Sequence, residues 1–334
     1  MPEGEATAGR LDRSNVVAYL RAHRLISGAA PKIEVLGGGV SNDVFAVDDE
    51  ERSLVVKQPL ARLQVADDWS APRERVLGEA AALELCNRLT PGRAPRVIFC
   101  DDERLIVVIE RAPKGWSDWK SRLLSGEAET SVAAWLGETL AVWHRRTQGR
   151  PLPQRLDGQE PFTRLRVDPY YRAVADRAPE HAPRIAALIA DTAARRSCFV
   201  HGDFSPKNVL VGEGASGWVI DYEVAHRGDP AFDLAFLLSH LMLKAIHRRD
   251  DCREYDACAH AFATAYEKSG GVIDWPHTAA HVGALLLARV GGKSPVEYLS
   301  AADRGRVWRL GAHLLEGPPQ SFDELIARRK ALLS

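Results

Sequence analysis

Four oxygen-bearing side chains stand close together in the stretch from Cys198 to Asp233, CFVHGDFSPKNVLVGEGASGWVIDYEVAHRGDPAFD. Asp203 follows the apolar run Cys198-Phe199-Val200 and the pair His201-Gly202. Asp221 and Glu223 follow a second apolar run, Trp218-Val219-Ile220, and Asn208 lies between the two, just before Val209-Leu210-Val211. Gly212, Gly214 and Gly217 mark a hairpin turn between these runs. Such a hairpin folds Asp221 back toward Asn208 and Asp203. Converging carboxylate and amide oxygens suit a hard divalent cation such as Mg2+, which shares them with phosphate oxygens. Asn208, Asp221 and Glu223 are therefore candidate metal ligands and Asp203 a candidate catalytic base. Any one of the four reads equally well as a turn or cap residue, and only the constellation points to chemistry.

The five-residue step from Asp203 to Asn208 matches the kinase catalytic loop, H-R-D-x-x-x-x-N. There the Asp takes the proton of the substrate hydroxyl and the Asn holds a metal ion. HGDFSPKN followed by IDYE resembles the aminoglycoside phosphotransferase and methylthioribose kinase family of small-molecule kinases. In that family Gly replaces the Arg of the loop, as Gly202 does here. Asp221-Tyr222-Glu223 is similar to its Asp-x-Glu metal motif, and GDPAFDLAFLLSHL to its D-P-x-x-D-L-A segment. The resemblance implies an α+β, bilobal, protein-kinase-like fold, with an N-terminal antiparallel sheet lobe and a larger, mainly helical C-terminal lobe. It also implies ATP and Mg2+ as cofactors, the hydroxyl of a small molecule as acceptor, and Asp233 as a brace for the catalytic loop.

The elements that must position these groups begin with a strand over 32–36, the run Gly37-Gly38-Gly39-Val40-Ser41-Asn42, and a second strand over 44–47. Backbone N–H groups at such a side-chain-poor tip can cover phosphates, which makes Gly38, Gly39, Ser41 and Asn42 candidates. The pattern departs from G-x-G-x-x-G, and glycine-rich turns are common. Lys57 ends the next strand, Leu54-Val55-Val56-Lys57, where the lysine that grips the α- and β-phosphates is expected. VVKQ also resembles the V-K-Q of methylthioribose kinases. The helix from Pro72 to Leu89 carries Glu79 as the expected partner of Lys57, with Glu74 and Glu84 rotated away from it. Strands over 94–100 and 105–109 lead into a hinge at Glu110–Ala112, whose backbone would meet the adenine edge. Residues 1–111 then form the nucleotide-binding lobe and 112–334 the catalytic and acceptor-binding lobe. A loop holding Trp69 either covers the active site, as in similar kinases, or packs on the surface.

Beyond the hinge, an amphipathic helix over 130–145 carries His144, expected to pack rather than react. Residues 149–183 read as an insert with short helices, and Tyr170 is expected on the acceptor side. Helices follow over 231–248, 251–269, 276–290, 300–315 and 321–332. Arg289 is the one loose match to the late substrate-binding arginines of methylthioribose kinases, whose second arginine is missing here.

Composition sets the remaining bounds. A net charge of -1 over 334 residues argues against a nucleic-acid partner or an anionic membrane surface. No apolar run approaches the ~20 residues of a membrane span. Five cysteines without a Cys-x-x-Cys pair favour free thiols, and the N-terminus has no apolar signal core, so a cytoplasmic protein is expected. Self-association as a homodimer is left open. The acceptor could be a sugar, methylthioribose-like or aminoglycoside-like; the C-terminal helices lack the dense acidic cluster that suits a polycation. The rival to an enzyme is a pseudokinase that binds nucleotide without turnover. A protein kinase is disfavoured by Gly202, the Asp-x-Glu motif and the lack of Ala-Pro-Glu.

Overall fold

Alternation along one strand decides which way Lys57 points. In β3 (Ser53–Pro59), Leu54, Val56 and Gln58 face one side of the sheet, and Val55 and Lys57 the other. The first side packs on α1 (Val16–Ala22) through Val16, Tyr19 and Leu20, and Gln58 accepts a hydrogen bond from the Leu11 N–H at 2.7 Å. The second side packs on α2 (Arg75–Leu89) through Val76, Leu77, Ala80 and Leu83. Lys57 is thereby carried into the space between sheet and α2. This computed structural model describes residues 9–37, 42–60 and 71–333.

The sheet has five antiparallel strands in the order β1-β2-β3-β5-β4: β1 (Lys32–Val35), β2 (Asn42–Asp48), β4 (Val97–Asp101) and β5 (Ile106–Glu110) flank β3. Lys57 lies opposite Val44 of β2 and Val107 of β5. The fourth strand starts at Val97, not at Ala94; before it the Arg93 carbonyl accepts the Val219 N–H and the Pro95 carbonyl accepts Asn87 Nδ2, each at 2.9 Å.

The rest is mainly helical. The two-residue strand β6 (Ser117–Asp118) leads into α3 (Trp119–Ser125), where the Asp118 carboxylate accepts the Ser121 N–H at 2.9 Å as an N-cap. After α4 (Thr130–Thr147), the insert holds a short 3-10 turn (Gln154–Leu156) and one continuous helical run: α5 (Glu160–Phe162), ten π-helical residues Thr163–Arg172, and α6 (Ala173–Arg177). The helix α7 (Ala182–Ala194) then packs by Ile185, Leu188 and Thr192. Strand β7 (Cys198–Val200) and the hairpin β8 (Val209–Val211) and β9 (Gly217–Val219) carry the motif residues, and β10 (His226–Gly228) pairs with β7.

Helix α8 (Pro230–His247) is apolar almost all round and is the axis of this part, buried from Ala231 to Ile246. Around it stand α9 (Cys252–Lys268), α10 (Trp275–Gly291), α11 (Ala301–Glu316) and α12 (Phe322–Leu333). Asp229 caps α8 through the Ala231 N–H at 3.0 Å and meets His277 of α10 at 2.5 Å, so the two helices share one buried anchor. Among the described residues no helix is long and apolar enough to cross a membrane.

The tightest backbone constraint is Gly202. Its φ is +78°, and a Cβ there would stand 2.8 Å from the Val224 carbonyl oxygen. Gly202→Ala is expected to cost roughly 2–4 kcal/mol, combining left-handed strain with overpacking. A urea or thermal midpoint equal to that of the wild type would contradict this.

Candidate active site

The loop after β7 is fixed before any side chain reacts. Asp233, wholly buried on α8, accepts the N–H of His201 at 2.7 Å and the N–H of Gly202 at 2.8 Å, one on each carboxylate oxygen. His201 Nδ1 accepts the Asp203 N–H at 3.1 Å, so its proton sits on Nε2, which donates to the Ile220 carbonyl at 3.2 Å. Burial pushes the imidazole down and keeps it neutral. His144 touches Asp233 at 3.4 Å and the Tyr266 hydroxyl at 2.9 Å, deep in the core, and it packs as expected.

Asp203 is 1% exposed and holds three partners. Its Oδ2 accepts from Arg166 at 2.7 Å, Asn208 Nδ2 at 2.8 Å and Lys207 Nζ at 3.0 Å. Burial alone would raise this carboxyl; Arg166 and Lys207 outweigh it and hold it below the usual carboxylate range. Arg166 comes from the π-helical segment and also donates to the Gly202 carbonyl at 3.0 Å.

Asp221 reaches the same place by the hairpin. The Ile220 N–H donates to the Asn208 carbonyl at 2.9 Å, which sets Asp221 beside Asn208. Asp221 itself adopts φ +69°, the left-handed region, a strain that tends to gather at working sites. Lys57 Nζ lies 2.6 Å from Glu79 and 3.3 Å from Asp221. Burial opposes the lysine's charge, but Glu79 and Asp221 together raise its pKa above the usual value. Burial likewise opposes the charge of Asp221, and Lys57 and Lys207 pull its pKa down. Glu74 and Glu84 are exposed on other faces of α2.

Glu223 sits deeper, 8% exposed, with Arg75 Nε at 3.0 Å and Asn42 Nδ2 at 3.1 Å on its Oε2. Asn42, read from the sequence as a phosphate contact, thus ties the glycine-hairpin strand to the Asp-x-Glu segment. Gly38, Gly39, Ser41 and Trp69 lie outside the described residues. The hard-oxygen donors that can share a cation are the Asp221 carboxylate and the Asn208 amide oxygen, whose NH2 is already spent on Asp203. Glu223 would have to offer an oxygen while held by Arg75.

At the outer side of Lys57 a cavity of about 480 Å³ opens between sheet and hairpin. Leu36, Val44 and Val55 form one wall and Leu210, Trp218 and Ile220 the other, a slot for a flat ring. Its far edge is the 110–112 segment. The Glu110 N–H is spent on the Arg96 carbonyl and the Arg111 N–H on Ser53, each at 3.0 Å. The Ala112 N–H has no partner among the described residues. Glu110 turns its side chain to Arg96. Trp116 meets Trp218 edge-on at 5.4 Å at the mouth.

Residues 32–281 match the model of the phosphotransferase enzyme family. The chain belongs to that family. A methylthioribose kinase of Bacillus cereus is 24% identical to this phosphotransferase over 271 residues, 73% of this chain and 68% of the relative. Methylthioribose kinase 2 of Oryza sativa subsp. japonica is 26% identical over 269 residues, 70% of this chain but 62% of its own length. Amicoumacin kinase, solved with AMP-PNP, Ca2+ and Ami, has the same fold, with TM-score 0.57 at 15% identity and coverage of 93% of this chain and 97% of that one. The fold is the bilobal, protein-kinase-like α+β fold, and the phosphotransferase is a small-molecule kinase.

Three residues of the phosphotransferase's charge network were not picked out from the sequence: Arg75, Arg166 and Lys207, the last placed four residues after Asp203, an i, i+4 spacing that was the available signal. Arg75 is one helical turn before Glu79 on the same buried stripe, and that i, i+4 spacing was the available signal. Arg166 had none, because the π-helical pitch decides where it points.

The depressed pKa of Asp203 makes a testable statement about pH. The group stays ionised as pH falls until its lowered pKa is reached, so it should impose no acid limb on phosphoryl transfer above about pH 4. Lys207→Met removes one lowering charge and should move that limb upward. The rate of phosphoryl transfer against pH checks both. A wild-type limb near pH 6 that the variant leaves in place would contradict the assignment.

Proposed function

We propose that the protein transfers the γ-phosphoryl group of ATP, with Mg2+, to a hydroxyl of a small molecule. The observation that carries this is the Lys57–Glu79–Asp221 bridge at the inner end of the slot, next to the buried, ionised Asp203. The AMP-PNP and Ca2+ in the amicoumacin kinase structure support nucleotide and divalent-metal use.

In this reading residues 1–111 are the nucleotide lobe and 112–334 the catalytic and acceptor lobe. The adenine lies in the slot, with Ala112 N–H at its edge and the Glu110 backbone behind it. Lys57, oriented by Glu79, holds the α- and β-phosphates, and the hairpin residues Gly38, Gly39, Ser41 and Asn42 lie over them. Asn208 and Asp221 would hold Mg2+, with Glu223 as a further ligand or as the brace behind it; an ion held there would supply charge neutralisation at phosphoryl oxygens. Asp203 orients the acceptor hydroxyl and takes its proton, and Arg166 and Lys207 keep it ionised and aimed. The catalytic advantage is mainly positioning and charge neutralisation. The setting is cytoplasmic, where ATP is available.

The test is ADP release with Mg-ATP over methylthioribose, other pentoses and hexoses, aminoglycosides, choline and homoserine. Acceptor-dependent release is expected, and Asp203→Asn should lower it by about 10²–10⁴-fold while Mg-ATP affinity stays within about twofold. Near-normal turnover in Asp203→Asn would refute the base. Asp221→Ala should weaken magnesium-dependent nucleotide binding, and equal binding with and without Mg2+ in the wild type would refute the metal site.

A further inference from the structure

Beyond Asp203, on the side away from the nucleotide slot, positive charge accumulates without matching negative charge. Tyr170 marks the direction. Its ring lies 5.9 Å from the guanidinium of Arg166, the partner of Asp203, and 5.8 Å from that of Arg289. Arg289 Nη1 donates to the Tyr170 hydroxyl at 3.1 Å and to Ser294 O and Oγ at 2.7 and 3.0 Å. Its Nε is buried with no partner.

Behind Arg289, on α8, is Lys244, with 0% exposure. Its ammonium reaches only the His240 carbonyl, at 3.5 Å, and the face of Tyr298, at 5.6 Å. Lys120 of α3 adds a further cation to this neighbourhood. Among the described residues none of Lys120, Lys244 and Arg289 has a carboxylate within ion-pair distance. Asp118 is the one acidic group facing Lys244, and both of its oxygens serve Ser121. Burial first, then Arg289 and Lys120, drive the Lys244 amine down to about 7; burial first, then Lys244, Arg289, Lys207 and Lys120, depress His240.

Buried cations normally bring their counter-ion with them, because the uncompensated charge is costly. Every other buried cation at this site does: Lys57 has Glu79 and Asp221, Arg75 has Glu223, Arg166 has Asp203. Arg289 is partly exposed, so a ligand can reach it, while Lys244 lies behind it and adds its charge through a low-dielectric wall once an anion draws a proton onto its amine. Phe236, which stacks near Arg166, and Lys244 are eight residues apart on α8, about 12 Å along its axis. The two ends of this tract are thus too far apart for one phosphoryl group.

We propose that the acceptor carries an anionic group, a carboxylate or a phosphate, held by Arg289 with Lys244 behind it, remote from the hydroxyl that Asp203 addresses. It rests on the kinase reading above and narrows the acceptor from small molecules at large to hydroxylated anions, away from polycations.

Equilibrium binding to the protein loaded with Mg-AMP-PNP tests this with paired probes: gluconate against glucose, ribose 5-phosphate against ribose, and kanamycin as the cation. At least one anionic probe should bind about tenfold or more tightly than its neutral partner, and the better of the two tells carboxylate from phosphate. Arg289→Gln and Lys244→Met should each erase most of that preference without changing Mg-AMP-PNP affinity; the second variant removes a buried charge and should fold at least as well. Anion binding at pH 8 should also draw up to about one proton from the buffer in the wild type and none in Lys244→Met. Equal binding of charged and neutral probes, absence of binding by every anion, tighter binding of kanamycin, or a preference that survives both substitutions would each overturn the proposal. Failure of Mg-AMP-PNP itself to bind would instead count against the kinase reading.

Discussion

Lys57 carries a buried positive charge between two carboxylates that come from distant parts of the chain. Glu79 arrives on α2 and Asp221 on the β8–β9 hairpin, 22 and 164 residues away in sequence. The bridge can form only if the sheet, α2 and the catalytic hairpin are all in place. It therefore converts a global arrangement into a local one. A lysine in this position without its partners would be an isolated charge in a low-dielectric cleft, which proteins avoid or neutralise.

The same rule of paired buried charge extends around the site. Arg75 and Glu79 stand one turn apart on α2 and engage Glu223 and Lys57, so one helical stripe controls both acidic groups of the Asp-x-Glu segment. Asp203 has Arg166 and Lys207. Such pairs add little net stability, since desolvation consumes most of the attraction, but losing one member leaves the other stranded. Their value here is geometric. They hold carboxylates ionised and pointed before any ligand arrives. Arg289 stands out against this background because, among the described residues, no carboxylate lies within ion-pair distance of it, and Lys244 behind it is pushed toward neutrality by burial.

The loop after β7 depends on constraints of another kind. Asp233 ties two successive N–H groups of the loop to the buried helix α8. Gly202 supplies the left-handed turn directly after them, at a point where Val224 leaves no room for a side chain. Beneath lie Trp143, Phe199, Phe204 and Tyr222, whose rings pack edge-on or tilted around Trp143 at about 6 Å. The Asp203 carboxylate thus sits on a packed apolar floor.

Local order determined much of this protein. Alternation in Leu54–Lys57 places the lysine on the face opposite α1, and helical phase singles out Glu79 from Glu74 and Glu84. The glycines after Val211 close the hairpin that returns Asp221 to Asn208. Each of these follows from a backbone period or a turn over a few residues, which is why it can be read from the chain. Helix α7 is legible too, in the spacing of Ile185, Leu188 and Thr192. What only the tertiary structure decided are the meetings across long separations: Arg75 with Glu223, Arg166 with Asp203, Arg289 with Tyr170. Arg75 and Glu223 are 148 residues apart, and Arg166 is aimed by a π-helical turn that has no periodic signature. Such contacts depend on how finished elements pack, and packing is a property of the whole fold rather than of any stretch of sequence.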